Sequence, residues 1–204
     1  MKILNLYSGI GGNRKLWEGH EVTAVEYDKD IAAVYKELFP EDKVVVADAH
    51  QYLLDHFKEF DFIWSSPPCP THSVTNHFLH AQGNVRYPDM GLWQEIVFLK
   101  KWFKGKWVVE NVKSYYPPLW PPTTIDRHYF WSNFEIEPLE VKRDFNICNA
   151  RASTRSKTDL SQLEKYHGIK LPEGTKRKRL LLRNCVYPPV GLHILKASTH
   201  IVAV

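Results

Sequence analysis

Cysteine is scarce in this chain of 204 residues: Cys69, Cys148 and Cys185 form no CxxC pair and leave an odd count. That excludes a disulfide framework and offers no zinc-site spacing, so no metal is expected and a reducing compartment suits the chain. Long apolar runs are missing too. None approaches the ~20 residues that cross a bilayer, and the first residues do not join a basic stretch to an apolar one, so neither membrane insertion nor secretion is expected. No internal repeat is visible. With 44% hydrophobic residues, the length allows one main domain and a small appendage, not two full domains.

Charge is present but unevenly spread. The net charge is +4, yet residues 141–186 alone carry twelve Lys or Arg against four acids, a net of +8, which leaves the remainder at −4. A basic region on an acidic body is the footprint of a polyanion-binding surface, because Lys and Arg displace counterions from phosphates. A solvated loop region explains the same composition.

Through residue 112, short apolar runs alternate with segments of helical period. Strands are expected at Ile3 to Tyr7, Val22 to Glu26, Val44 to Ala47, Phe60 to Trp64 and Trp107 to Glu110. Helices are expected at Asp30 to Phe39, Ala49 to Phe57 and Met90 to Phe103. Several strands are nearly continuous in apolar residues, as strands covered on both faces are. The pattern predicts an α/β fold with a doubly wound, mostly parallel sheet. Thr71 to Asp89 is polar and aperiodic and reads as a long loop, either an active-site lid or disorder. Past a turn at Pro117 to Pro122, Tyr129-Phe130-Trp131 reads as a strand and Asp159 to Tyr166 as a helix. Pro189 to Val204 is apolar enough to pack back on the core.

Four places carry chemistry. The strand ending at Trp64 runs through Ser65-Ser66 into a rigid Pro67-Pro68 turn that presents Cys69, the position of a nucleophile; taken alone, without its neighbours, Cys69 reads more readily as an inert buried thiol. The first strand runs into Ser8-Gly9-Ile10-Gly11-Gly12, where glycine lets backbone approach a ligand, although Arg14 stands where a dinucleotide fingerprint wants a third glycine. Glu26 closes the second strand, placed for ribose hydroxyls, and Asp48 follows the third, placed for an adenine amino group. Glu110-Asn111 ends a strand on the same sheet edge as Cys69, so its carboxyl can meet a pyrimidine ring nitrogen while the thiol adds to carbon 6.

In that order these residues resemble the DNA cytosine-5 methyltransferase family. Leu6-Tyr7-Ser8-Gly9-Ile10-Gly11-Gly12 looks like its S-adenosyl-L-methionine motif, and Glu26-Tyr27-Asp28 and Asp48-Ala49 are similar to its ribose and adenine contacts. Ser66-Pro67-Pro68-Cys69 resembles its nucleophile motif, Glu110-Asn111-Val112 its base-addressing motif, and Asn184-Cys185-Val186 the Asn-Ser-Val that completes its cofactor pocket. The resemblance implies a Rossmann-like catalytic and cofactor-binding domain over 1–140, a short basic recognition segment over 141–182, and a return to the catalytic domain over 183–204. It further implies Cys69, Glu110, Arg127 and His128 as catalytic residues. The implied cofactor residues are Tyr7, Ser8, Gly9, Ile10, Gly11, Gly12, Glu26, Tyr27, Asp48, Ala49, Pro68, Asn184 and Val186. The partner implied is double-stranded DNA, in the cytoplasm of a bacterium or phage-infected host.

The chain departs from the family at two points. Pro70 replaces the usual glutamine after the nucleophile and removes a backbone donor. The Arg-x-Arg motif is represented by Asp126-Arg127-His128-Tyr129-Phe130-Trp131, with His128 at the second arginine's position and Arg127 one residue earlier. Methylation of transfer RNA, or a catalytically inactive nucleic-acid-binding relative, are the alternative readings. An amino-group methyltransferase would carry an aromatic residue where Cys69 stands.

Overall fold

Five strands run parallel: β1 (Lys2–Leu6), β2 (Glu21–Glu26), β3 (Lys43–Val46), β4 (Phe62–Ser65) and β5 (Lys106–Val112). Two more complete the sheet, β6 (Thr123–Ile125) and β7 (His128–Ser132), in the order β3-β2-β1-β4-β5-β7-β6, with β7 antiparallel to both of its neighbours. The chain is described here by a computed structural model covering residues 1–143, 145 and 160–199. Of the sequence expectations, Arg151, Arg155 and Lys157 of the basic segment and the end of the tail, 200–204, lie outside these residues.

Alternation along the strands creates two cores. In β4, Phe62 and Trp64 enter one apolar cluster while Ile63 enters another on the opposite face; in β5, Val108 joins the first and Trp107 and Val109 the second. Both faces being covered is why these strands read as unbroken apolar runs. One face is covered by α2 (Ala49–His56) and α4 (Gly91–Trp102), through Leu53, Leu92, Ile96 and Leu99. The other takes α7 (Pro188–Thr199), through Val190, Ile194 and Leu195. A third, smaller cluster joins Ile10 to Leu163, Ile169, Leu171 and Leu182, with Ile31, Val34 and Leu38 of α1 (Lys29–Leu38) against it. Thus α5 (Leu160–His167) and α6 (Lys178–Asn184) sit beside the turn that follows β1.

Local chemistry sets the helix starts. Asp28 caps α1 by accepting from Asp30 N and Ile31 N, and Asp48 caps α2 by accepting from Gln51 N. Three elements depart from the sequence expectation, α6 among them. The Thr71 to Asp89 stretch contains a short helix, α3 (Asn76–Ala81), and the edge strand β6 follows the proline turn. Helix α3 is held by the buried Asn76, whose Nδ2 donates to Pro70 O at 2.9 Å, and no apolar periodicity announces it.

Helix α7 lies hard against the turn after β1. A Cβ at Gly191 would stand 2.2 Å from Asn13 O, and Trp17 Nε1 donates to Gly191 O at 3.1 Å. Gly191→Ala is therefore expected to lower stability by about 1–3 kcal/mol, measured as a drop in Cm at unchanged m-value.

Candidate active site

Parallel pairing sets Leu6 opposite Val25 and Ser65, and Ser65 opposite Val109. The next residues, Tyr7, Glu26, Ser66 and Glu110, therefore stand in a row at the C-terminal edge of the sheet, where ligands of open α/β sheets bind. Beyond β1 the chain turns at once: Ser8 N donates to Val25 O at 3.0 Å and Gly11 N to Ser8 O at 2.9 Å. Gly9 has φ +54° and Gly11 φ +76°, left-handed values at which a side chain is strained. Glu26 braces this turn, one carboxylate oxygen accepting from Gly9 N at 2.9 Å and the other from Asp28 N at 3.0 Å. Arg14 ties it down from outside with paired 2.8 Å bonds to Asp42. That bidentate pair is what Arg14 does in place of a third glycine.

Beyond β4 the Pro67-Pro68 turn is held by its neighbour strand, since Asn111 Nδ2 donates to Pro67 O at 2.9 Å. Cys69 O then accepts from His72 N and Ser73 N at 3.0 and 3.2 Å, so the chain coils back immediately and leaves the half-buried thiol on the wall of a cleft. The cleft has a volume of about 250 Å³. It brings together Cys69, Glu110, Arg127 and His128 with Tyr7, Ser8, Gly9, Ile10, Gly12, Glu26, Pro68, Asn184 and Val186. Gly11, Tyr27, Asp48 and Ala49 are not among its lining residues. Gly11 packs against the Tyr35 and Phe39 rings, Tyr27 is exposed, Asp48 caps α2, and Ala49 is buried in the core.

Burial dominates the electrostatics. Glu110 is 7% exposed, and loss of solvent raises its pKa from the ordinary 4.5 to about 7, against the opposing hydrogen bond from Ser66 and the Arg127 charge. His128 is pushed the other way, well below the usual imidazole value, by burial and then by Arg127, Arg143, His167 and Lys113. His128 Nε2 stands 3.7 Å from Glu110 Oε1. The opposite shifts make this a contact between a carboxyl that readily holds a proton and a neutral imidazole, rather than an ion pair. Arg127 is committed elsewhere: its Nη2 donates to Arg183 O at 2.5 Å and Cys185 O at 3.2 Å, clamping the C-terminal segment beside the cleft. That segment rests on Gly12, where an added Cβ would meet Val186 O at 2.6 Å.

The sequence pattern of C-5 cytosine-specific DNA methylases matches residues 1–116, more than half of the chain. The chain belongs to this family. It is 35% identical over 85 residues to a tRNA (cytosine(38)-C(5))-methyltransferase of Spodoptera frugiperda, a match that covers 38% of the chain but only 26% of that relative. Among solved structures, the Entamoeba histolytica methyltransferase EhMeth aligns over 97% of each chain with a TM-score of 0.58 at 12% identity. DNMT2 of Spodoptera frugiperda is 30% identical over 55% of this chain and 35% of its own, with a TM-score of 0.41. The mostly parallel seven-stranded sheet is the Rossmann-like fold of S-adenosylmethionine-dependent methyltransferases, as the sequence led us to expect.

Sequence reasoning passed over Glu95. It is 1% exposed and accepts from Tyr7 Oη and Ser65 Oγ, each at 2.5 Å, with His50 Nδ1 at 3.2 Å. The signal was there: a carboxylate between Leu92 and Ile96 on the apolar face of α4 is out of place unless it has partners.

The raised pKa of Glu110 has a consequence for stability. Below 4.5 the carboxyl is protonated folded and unfolded; between 4.5 and about 7 only the unfolded chain releases the proton, so stability falls as pH rises and the loss is complete above about 7. Glu110→Gln removes that dependence. The variant is expected to be the more stable by about 1–3 kcal/mol at pH ~8 and to converge with the wild type near pH ~4, read from urea unfolding at both pH values.

Proposed function

We propose that the chain transfers a methyl group from S-adenosyl-L-methionine to carbon 5 of cytosine in double-stranded DNA, through a covalent adduct between Cys69 and a flipped-out base. The observation that carries this reading is the meeting of the Cys69 thiol and the Glu110 carboxyl in one cleft with the glycine turn and Glu26. The residues present fit the methyl donor: Ser8 Oγ is buried in the cleft wall without a hydrogen-bond partner, and Glu26 keeps lone pairs for ribose hydroxyls beyond the two backbone bonds it accepts. When bound there, S-adenosyl-L-methionine supplies an electrophilic methyl group to carbon 5.

The chain's own residues prepare the base. Cytosine carbon 6 resists addition until ring nitrogen 3 is protonated or firmly hydrogen-bonded, and a buried carboxyl that holds its proton to about pH 7 supplies that proton. Sγ of Cys69, as thiolate, forms the bond to carbon 6, and the electron pair displaced from the 5,6 double bond makes carbon 5 nucleophilic. After methylation, a water molecule takes the carbon 5 proton, the electron pair of that bond re-forms the 5,6 double bond and expels Sγ as thiolate, and the proton on nitrogen 3 returns to the Glu110 carboxylate. Neutral His128 beside Glu110 leaves the carboxyl's proton in place, where a second arginine would draw it off.

The lid in this reading is the Thr71 to Asp89 segment. Its ends are pinned together, Asp89 N donating to Thr71 Oγ1 at 3.1 Å, while Phe78 and Tyr87 project into solvent, 69% and 82% exposed. The base must leave the helix to reach Cys69, and a segment hinged beside the thiol is placed to cover it.

A tRNA substrate is the second reading, favoured by what the Spodoptera frugiperda relative is named for. Tritiated S-adenosyl-L-methionine offered with duplex DNA or with tRNA, followed by identification of the labelled base, tests both. Label at carbon 5 of cytosine in DNA is expected; label only in tRNA transfers the proposal to that substrate, and label on an exocyclic amino group would sink it. Cys69→Ala is expected to lose turnover and the adduct with 5-fluorocytosine DNA while still binding cofactor, and wild-type turnover in that variant contradicts the mechanism.

The exposed Lys176, Arg177 and Arg179 open or flank α6 close to the cleft-lining Leu181 and Asn184. Replacing these three by Gln is expected to weaken DNA binding and reduce the slope of log K against log salt by up to about 2.7. An unchanged slope assigns the cluster to solvent.

A further inference from the structure

Four elements send a side chain to one buried point. Tyr7 at the end of β1, His50 of α2 and Ser65 of β4 all converge on the Glu95 carboxylate of α4, with the distances given above. An ionised carboxylate is acceptor-only, so three donors suit it, and a hydrogen bond to a charged acceptor is about twice as strong as a neutral one. One donor lines the cleft and another directly precedes a lining residue, Ser66. Tyr7 lines it directly and opens the glycine turn with φ +53°, a left-handed conformation that costs a tyrosine about 1–3 kcal/mol unless its surroundings hold it. Ser65 is the residue before Ser66-Pro67-Pro68-Cys69, the last of its strand.

We propose that Glu95 is a positioning residue for the methyl donor: it locks the Tyr7 ring and the end of β4 in mutual register, so that the cofactor wall and the nucleophile turn hold one spacing, and His50 makes that lock proton-dependent. The inference rests on the reading of the cleft as a cofactor site. The charged and titratable groups that bear on the cluster are His50 and Asp48 from α2 and its cap, Asp89 from the segment before α4, and Tyr7 itself. The hydrogen bond to Glu95 holds His50 protonated to higher pH than an ordinary imidazole. Its contribution is therefore fully present below the ordinary value and fades as pH rises through the raised one. His50 is partly exposed, 27% by side chain, and so can exchange protons with solvent.

The test is calorimetric titration of the full chain with S-adenosylhomocysteine from pH ~5.5 to ~8.5, with steady-state kinetics alongside. Glu95→Gln and Tyr7→Phe are each expected to weaken binding about tenfold, and the double variant to bind no worse than the weaker single one, because both remove the same bond. KM for the methyl donor should rise in proportion while kcat falls by less than about threefold. Wild-type affinity should decline with rising pH, and His50→Gln should flatten that decline. Should Glu95→Gln fail to fold, Tyr7→Phe, which deletes one oxygen, carries the test alone. Wild-type affinity in folded Tyr7→Phe, additive losses in the double variant, or a wild-type affinity indifferent to pH would overturn the proposal. A wild type that does not bind S-adenosylhomocysteine overturns the cofactor reading of the cleft itself.

Discussion

Everything at the site depends on the register of three neighbouring strands. With β4 between β1 and β5, the Pro67-Pro68 turn that carries Cys69 leaves the sheet flanked by the glycine turn on one side and Glu110 on the other. Hydrophobic burial enforces the alignment, because Phe62 and Trp64 on one face and Ile63 on the other admit no slip. A shift by one residue would exchange the two faces of the strand, driving Phe62 and Trp64 into the space shaped for Ile63 and mispacking both cores at once.

The same edge of the sheet holds the groups a stability criterion alone would discard. Glu110 is buried at a cost to its ionisation, and Ser8 Oγ and His72 Nε2 are buried without hydrogen-bond partners. Buried polar groups are normally satisfied; Trp107 Nε1 and His20 Nδ1 are exceptions away from this edge, whereas Ser8 Oγ opens on the cleft, where a ligand can satisfy it. Around them the structure is rigid by multiple means: Asn111 on the proline turn, Arg14 with Asp42 on the glycine turn, Gly191 against Asn13.

Much of this was readable from residues alone. The central strands declared themselves because burial on both faces leaves no polar alternation to confuse them, and parallel order then puts Cys69 and Glu110 at one edge. What escaped notice had no periodic or compositional signal. Strand β6 is three residues after two prolines, and α3 is one and a half turns held by a side-chain amide. Glu95 was hidden by its neighbours: the eye follows Leu92, Ile96 and Leu99 along the helix and passes over the carboxylate on the same face. Asp48 shows a second task that its position in the sequence did not announce: one carboxylate oxygen caps α2 by accepting from Gln51 N.

The clamp from Arg127 to the carbonyls of Arg183 and Cys185 joins points far apart in sequence at the base of whatever lies between them. Closing a loop costs entropy that grows only with the logarithm of its length, so once its two feet are fastened an insert can lengthen, shorten or change character at little thermodynamic penalty. Changes of length or sequence between the two feet can thus leave the cleft wall where it stands, a tolerance founded on one guanidinium.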